Sequence, residues 1–442
     1  MKLSPILPNY WRTLSAHNHA NTKMDAAYNT NMNHIWRRGL LLSGILLSGG
    51  ALYLPKIVLT VLFTIFSVIL LKKDRLEASR KYQKIYYFTI VILFLAGTRF
   101  SEHEAISTLT KTSYFLMGLI LLIVYQKYNN DVFIKDLVWL IYPMTYQAIF
   151  TVILAAIAPS LFIEINHEDL SIRTFFLLLN YHVLLDESSL LIRPDGFFWE
   201  PGVLQMYLNI FIYVNLFRFN NLKQAALGAL AVIATASTTG IFAMFFILLS
   251  FFYKKFLRDN KNRLKLIFVM IIIAPIITIV TYDNLNDKIF GAGQGSTLTR
   301  QFDLITGINI AVAHPILGIG FSKENYIGAA SLYGFEDSEL GEEFFRERPG
   351  TTNGIVQIIY SIGFPLALFI IISLFNQKLV PERIVFGTTL VIFMLGENLI
   401  LTPFFLMFVF AGMISNSNSR DPRGSKPIFN EDRPLEGTRK HV

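Results

Sequence analysis

The sequence predicts an all-α polytopic integral membrane protein, with about twelve transmembrane helices and two long loops on the side away from the cytoplasm. Three observations carry that expectation. Of the 442 residues 53% are hydrophobic and only 16% charged, with 39 Phe, whereas soluble domains carry roughly a quarter charged residues. The apolar residues fall into runs that approach the ~20 residues a helix needs to cross a bilayer. Lys and Arg gather in alternate connections between those runs, the bias that sets membrane orientation.

Residues 1–38 read as a cytoplasmic segment, polar and rich in Asn and His, without the apolar core of a cleaved leader. The membrane domain spans 39–414. Its first two runs, 39–54 and 57–71, are divided by Pro55-Lys56 and read as a hairpin. Runs at 85–97, 113–126, 137–162 and 203–217 follow, then 225–235, 240–253, 266–282 and 354–375. The last, 384–414, is broken by Gly396-Glu397-Asn398, read as a turn between two spans. With the N-terminus inside, the cytoplasmic segments hold 29 of the 39 Lys and Arg, so both termini are expected in the cytoplasm. The tail, 415–442, mixes Pro, Asn, Ser and charge without apolar periodicity, and is expected to be disordered. The formal net charge of +8 is thereby assigned to anchoring loops on an anionic inner leaflet rather than to nucleic acid.

Two outside loops, about 163–202 and 283–353, are much longer than the rest, and such loops are uncommon without a function. Their apolar stretches, 174–185 and 305–319, are expected as helices lying on the membrane surface. The charged candidates are Arg173, Arg193, Asp195 and Glu200 in the first loop. In the second they are Lys288, Arg300, Asp303, His314, Lys323, Glu324, Arg346 and Arg348. Arginine presents a planar fork of donors that grips phosphate oxygens and keeps its charge. Arg193 and Arg300 are the candidate phosphate ligands, while Arg173, Arg346 and Arg348 read as loop ion pairs. Glu200 precedes Pro201, so it is either an acid that starts a helix or a general base. His314 before Pro315 is a second candidate base, and Asp195, in a Pro-Asp-Gly turn, reads as structural. Glu397 lies either at the outer rim or inside the bundle, where it needs a partner. With no cysteine, no disulfide framework or Cys-ligated metal site is available. No Walker loop, His-Glu-x-x-His or Gly-x-Ser-x-Gly occurs, so neither metal nor other cofactor is expected.

Four segments together resemble the O-antigen polymerase and O-antigen ligase superfamily of bacterial envelopes. Arg193-x-x-Gly196-Phe197-x-x-Glu200-Pro201-Gly202 is similar to its Arg-x-x-Gly-x-x-x-Glu-Pro-Asn segment opening a span. Thr235-Ala236-Ser237-Thr238-Thr239-Gly240 is similar to its Thr-x-Ser-Arg-Gly corner, with Thr239 where arginine is usual. Arg300, followed by His314-Pro315-Ile316-Leu317-Gly318-Ile319-Gly320-Phe321, resembles its arginine and His-Pro-Leu-Leu-Gly-x-Gly-Phe run. Thr352-Asn353, nine residues, then Gly363 is similar to its His-Asn-x9-Gly-x-x-Gly signature. Thr352 stands where the ligases have the histidine proposed as base, and Leu366 replaces the last glycine.

The resemblance implies a metal-independent glycosyltransferase of the inner membrane that works on its periplasmic face. Its donor would be an undecaprenyl-pyrophosphate-linked glycan and its acceptor a fresh lipid-linked repeat unit. Arg193 and Arg300 would hold the pyrophosphate, and Glu200 or His314 would take the acceptor proton. A chain-length regulator and a repeat-unit flippase come as partners from the resemblance alone. The departure at Thr352 favours a polymerase of O-antigen or capsule. A ligase acting on lipid A core, a transporter or flippase of lipid-linked sugars, and a sensor or scaffold remain the alternatives.

Overall fold

A computed structural model describes residues 31–71, 82–97, 102–167, 170–182, 192–256, 294–334 and 350–414. The expected span 266–282, the candidates Lys288, Arg346 and Arg348, and the tail 415–442 lie outside them. The chain is mostly helical. Helices α1 (Asn31–Gly49), α2 (Lys56–Leu71), α3 (Gln83–Gly97), α4 (Glu102–Gln126) and α5 (Asn130–Ile157) come first. After the first long loop follow α6 (Pro201–Phe217), α7 (Leu222–Ala234) and α8 (Thr238–Phe256). Then come α9 (Gln294–Ala313), α10 (Lys323–Tyr333), α11 (Gly354–Asn376), α12 (Arg383–Gly396) and α13 (Pro403–Ile414).

Four of these segments are long and apolar enough to cross a membrane: Ala105–Gln126, Asn130–Ile157, Thr238–Lys255 and Gly354–Asn376. Others, such as Pro201–Phe217 and Pro403–Ile414, are shorter apolar helices. Those two form the centre. From Val203 to Leu216 every residue of α6 is buried, as is every residue of α13. α13 is apolar all round, as befits an interior helix, while α6 also buries Gln205, Asn209 and Asn215; Tyr207 packs against Phe404 at 5.5 Å. α1, α4 and α11 pack around α13, while α5, α7 and α8 pack around α6. At one end of the bundle, Arg37 and Arg38 of α1 donate to Asp136 of α5 at 2.5 and 2.9 Å. Tyr125 of α4 adds a third hydrogen bond to that carboxylate.

The first long loop departs from the all-α expectation. In place of a surface helix at 174–185 it forms an antiparallel four-stranded sheet in sequential order. The strands are β1 (Ile163–His167), β2 (Leu170–Phe175), β3 (Leu179–His182) and β4 (Arg193–Pro194). Ile172 and Thr174 are buried, the alternation of a half-buried strand rather than a helix face. Phe176 and Leu177 then take φ of 53° and 58°, which forces a turn. Asn180 ties the hairpin down. Its side chain accepts from Tyr53 Oη at 2.8 Å and donates to the Gly196 carbonyl at 2.7 Å. The run 39–54 is also shortened: α1 stops at Gly49, and Gly50, at φ 70°, turns the chain so that Ala51 bridges Phe198.

In the second loop α9 covers the first part of 305–319 and ends before Pro315. The glycines that follow are explained by a break in α11 at Gly363, where φ is 80°. Ile319 and Gly320 donate to the carbonyls of Tyr360 and Ser361 at 2.6 and 3.0 Å, and Phe364 donates to that of Pro315 at 2.8 Å. A Cβ on Gly318 would collide with the Tyr360 carbonyl, and one on Gly363 with that of Ile316. The loop therefore replaces the hydrogen bonds that the break removes from the helix. Gly363→Ala and Gly318→Ala should each lower the thermal midpoint in detergent, at a cost of ~1–3 kcal/mol or more. Gly328→Ala, on α10 with open space around it, should be neutral or gain up to ~1 kcal/mol. A Gly363→Ala midpoint equal to that of the wild type would refute this account of the loop.

Candidate active site

The site is built where the sheet hands the chain to α6. Pro194-Asp195-Gly196 makes the turn, with Gly196 at φ 65°. Phe198 stacks on Tyr207 at 4.9 Å and sits against Gly49, where any side chain would strike it. Pro201 opens α6, where its missing N–H costs nothing. Glu200 occupies the N-cap position, yet its side chain makes no capping hydrogen bond. It faces a cavity instead.

That cavity has a volume of about 150 Å³, room for about five waters at ~30 Å³ each. This is room enough for a group the size of a diphosphate. Six parts of the fold meet on it. His182 comes from the end of β3 and Arg193 from β4, while Glu200, Pro201 and Gly202 come from the head of α6. Ser237, Thr238 and Thr239 come from the corner before α8, Arg300 from α9, and Glu397 from the turn after α12.

The charges are coupled. Burial, and then the Glu200 carboxylate to which it is hydrogen-bonded, push the Glu397 carboxyl well above its ordinary range. The two carboxyl groups meet as a pair at the head of α6. Gly202 makes the pairing possible, because a Cβ there would overlap Glu397 Oε1 and lie 3.3 Å from Glu200 Oε1. Burial pulls Arg193 down from the usual arginine value, opposed by Asp195 and Glu200, and arginine keeps its charge against such a pull. Its Nε donates to the Thr235 carbonyl at 3.3 Å, which fixes the fork beside the Ser237–Thr239 corner. Beneath the wall, the fully buried Asp195 lies 3.4 Å from His182 Nδ1. Burial raises its carboxyl from 3.8 to about 6, with His182 opposing. Two guanidinium groups, a carboxylate and an imidazole on one small cavity can bind a polyanion and move a proton beside it.

The fold therefore brings Arg193, Glu200 and Arg300 together. It leaves out His314, which is exposed at the end of α9 with its ring edge on Tyr333 at 5.9 Å. The His314 to Gly320 run is instead the loop docked on the break in α11. Arg173 pairs across strands with Glu164 at 3.4 Å, away from the cavity. Thr352, at the position of the ligase histidine, bonds Asp303 through both its N–H and its hydroxyl, at 2.9 and 3.0 Å. Two groups that the motifs alone do not select enter here. Glu397 carried a signal, as an acid in an apolar run. His182 carried none, since only strand pairing brings it to Arg193.

The O-Antigen ligase family model matches residues 225–371, consistent with the O-antigen ligase/polymerase superfamily. The match runs from α7 through most of α11, and so includes the Ser237–Thr239 corner, Arg300, the docked loop and Gly363. It stops short of Arg193, Glu200 and Glu397. No curated protein matches the chain.

Asp195 gives this site a pH signature. A carboxyl whose folded-state pKa lies above its unfolded value favours folding only in its protonated form. Its contribution is complete below about 3.8 and is lost as pH rises through about 6. The thermal midpoint should therefore fall across that window by an amount worth up to about 3 kcal/mol. In Asp195→Asn the slope should flatten. Parallel curves for the two proteins from pH ~4 to ~7 would show that Asp195 does not titrate there.

Proposed function

We propose that the chain is a polysaccharide repeat-unit polymerase, acting on O-antigen or capsule at the periplasmic face of the inner membrane. One observation carries the reading: two arginines from separate loops converge with a carboxylate on a diphosphate-sized cavity beside a wholly buried helix. Arg193 and Arg300 grip the undecaprenyl pyrophosphate of the donor. They neutralise charge as it develops on the leaving group, and electrostatic stabilisation of this kind usually contributes most to such catalysis. The bond from sugar C1 to the pyrophosphate oxygen breaks, and the terminal hydroxyl oxygen of a new lipid-linked repeat unit bonds to C1. Glu200 takes that hydroxyl's proton, while Glu397 orients it. Among the described residues no cluster of three His, Asp or Glu side chains is placed to hold a metal ion.

The description of the matching family model favours a second reading, a ligase moving finished glycan onto lipid A core. Thr352 supports the polymerase over it, because its hydroxyl is engaged by Asp303 and it offers no imidazole.

In a strain deleted for the gene, the wild-type chain should restore long surface glycan. Arg193→Gln and Arg300→Gln should leave single repeat units on the core, with polymer reduced ~100-fold or more. A gel of surface glycan reads this directly. A normal ladder from both variants would sink the pyrophosphate assignment. Loss of every repeat on core in the deletion strain, with lipid-linked polymer accumulating, would make the chain a ligase.

A further inference from the structure

Three observations single out His182. In the pairing of β3 with β4 it stands directly opposite Arg193, so both side chains leave the same face of the sheet, with Cβ atoms roughly 5 Å apart. It lines the same cavity as Arg193, Glu200 and Arg300, with its side chain 16% exposed. Its Nδ1 is 3.4 Å from both carboxyl oxygens of Asp195, a residue with no solvent exposure. An imidazole whose Nδ1 faces a carboxyl has its tautomer and ring orientation set, and presents Nε2 at the opposite edge.

We propose that His182, oriented by Asp195, is a catalytic acid that completes the pyrophosphate site, donating its Nε2 proton to the leaving group. This rests on the pyrophosphate reading of the cavity. In the step, the C1–oxygen bond of the donor breaks, and the departing phosphate oxygen takes the Nε2 proton of the His182 imidazolium, which becomes the neutral ring with its remaining proton on Nδ1 toward Asp195. The acceptor oxygen forms its bond to C1 and passes its proton to Glu200. One proton enters and one leaves, and water recharges the imidazole afterwards. Asp195 is a positioning residue, since it acts only through the ring.

The charged groups around His182 come from every side. Arg193 on β4 and Arg300 on α9 are the cations, and Asp195, Glu200 and Glu397 are the carboxyl groups. β2 sets the uncharged Ile172 opposite it, and α5 sends Gln147, also uncharged, to this hairpin. As histidine is the side chain that changes charge near neutrality, the cradle should hold a polyanion more tightly below its titration than above.

The test is calorimetric binding of inorganic pyrophosphate to the full-length chain in nanodiscs, from pH ~5.5 to ~8.5. Wild type and variant are compared at each pH, so that the ligand's own titration cancels. His182→Gln should bind about tenfold more weakly than wild type at the acid end and converge with it at the alkaline end. His182→Lys should keep acid-end affinity and lose the convergence, which a folding defect would not produce. Arg193→Gln should weaken binding at every pH. If Arg193→Gln weakens binding while His182→Gln matches wild type throughout, this proposal is overturned and the pyrophosphate reading stands. If neither variant changes binding, the reading and the proposal fall together.

Discussion

A charge placed in an apolar bundle has to find its opposite, and the two ends of this molecule meet that demand in different ways. At one end Asp136 is closed off by hydrogen bonds from Arg37, Arg38 and Tyr125. Breaking such a cluster by truncation leaves a buried charge and typically costs ~3–5 kcal/mol. Its role is to join α1, α4 and α5. At the head of α6 the groups are similar, but they are arranged around a cavity. Glu200 and Glu397 pair, Asp195 lies against His182, and Arg193 uses one donor on a backbone carbonyl. Arg300 lines the same cavity from α9.

Small residues make that crowding possible. Gly202 lets Glu397 reach over the first turn of α6, and Gly49 lets Phe198 seat the loop that carries Arg193 and Glu200. The docked loop and the break at Gly363 work at longer range. They set α9 against α11, with Gly307 so close to Val356 that a Cβ would overlap it, and α9 carries Arg300. The glycine-rich run after His314 is thus architecture that aims an arginine, rather than a piece of the chemistry.

The location of the site at the end of short, buried helices also has a physical reason. A helix of 12 residues rises ~18 Å, less than the ~30 Å of a bilayer core. The corner after α7 and the turn after α12 are accordingly buried, with Thr235, Ser237 and Glu397 among their residues. Irregular backbone at such depth is tolerated where it is buried in protein or lines a polar cavity. The Ser237–Thr239 corner and the turn at Glu397 both border this one.

What the sequence determined by itself was whatever depends on local composition. Each described apolar run outside the two long loops formed a helix over most of its length, with 39–54 cut short at Gly49 and 137–162 at Ile157, and the Gly396-Glu397-Asn398 interruption ended α12. Arg193, Glu200 and Arg300 stood out because charge is rare in a chain so apolar. What only the tertiary structure decided was partnership. The helix expected at 174–185 rests on apolar content that is the same in either form, and positive φ at Phe176 and Leu177 is invisible in the residue names. His182 gained meaning only through its register against Arg193, and Glu397 only through the approach that Gly202 permits. His314 lies outside the cavity lining, at the start of the loop that docks on the break in α11. Composition acts over a few residues and can be read from them, whereas hydrogen bonds and coupled charges join residues far apart in the chain, and only the packed fold states which ones meet.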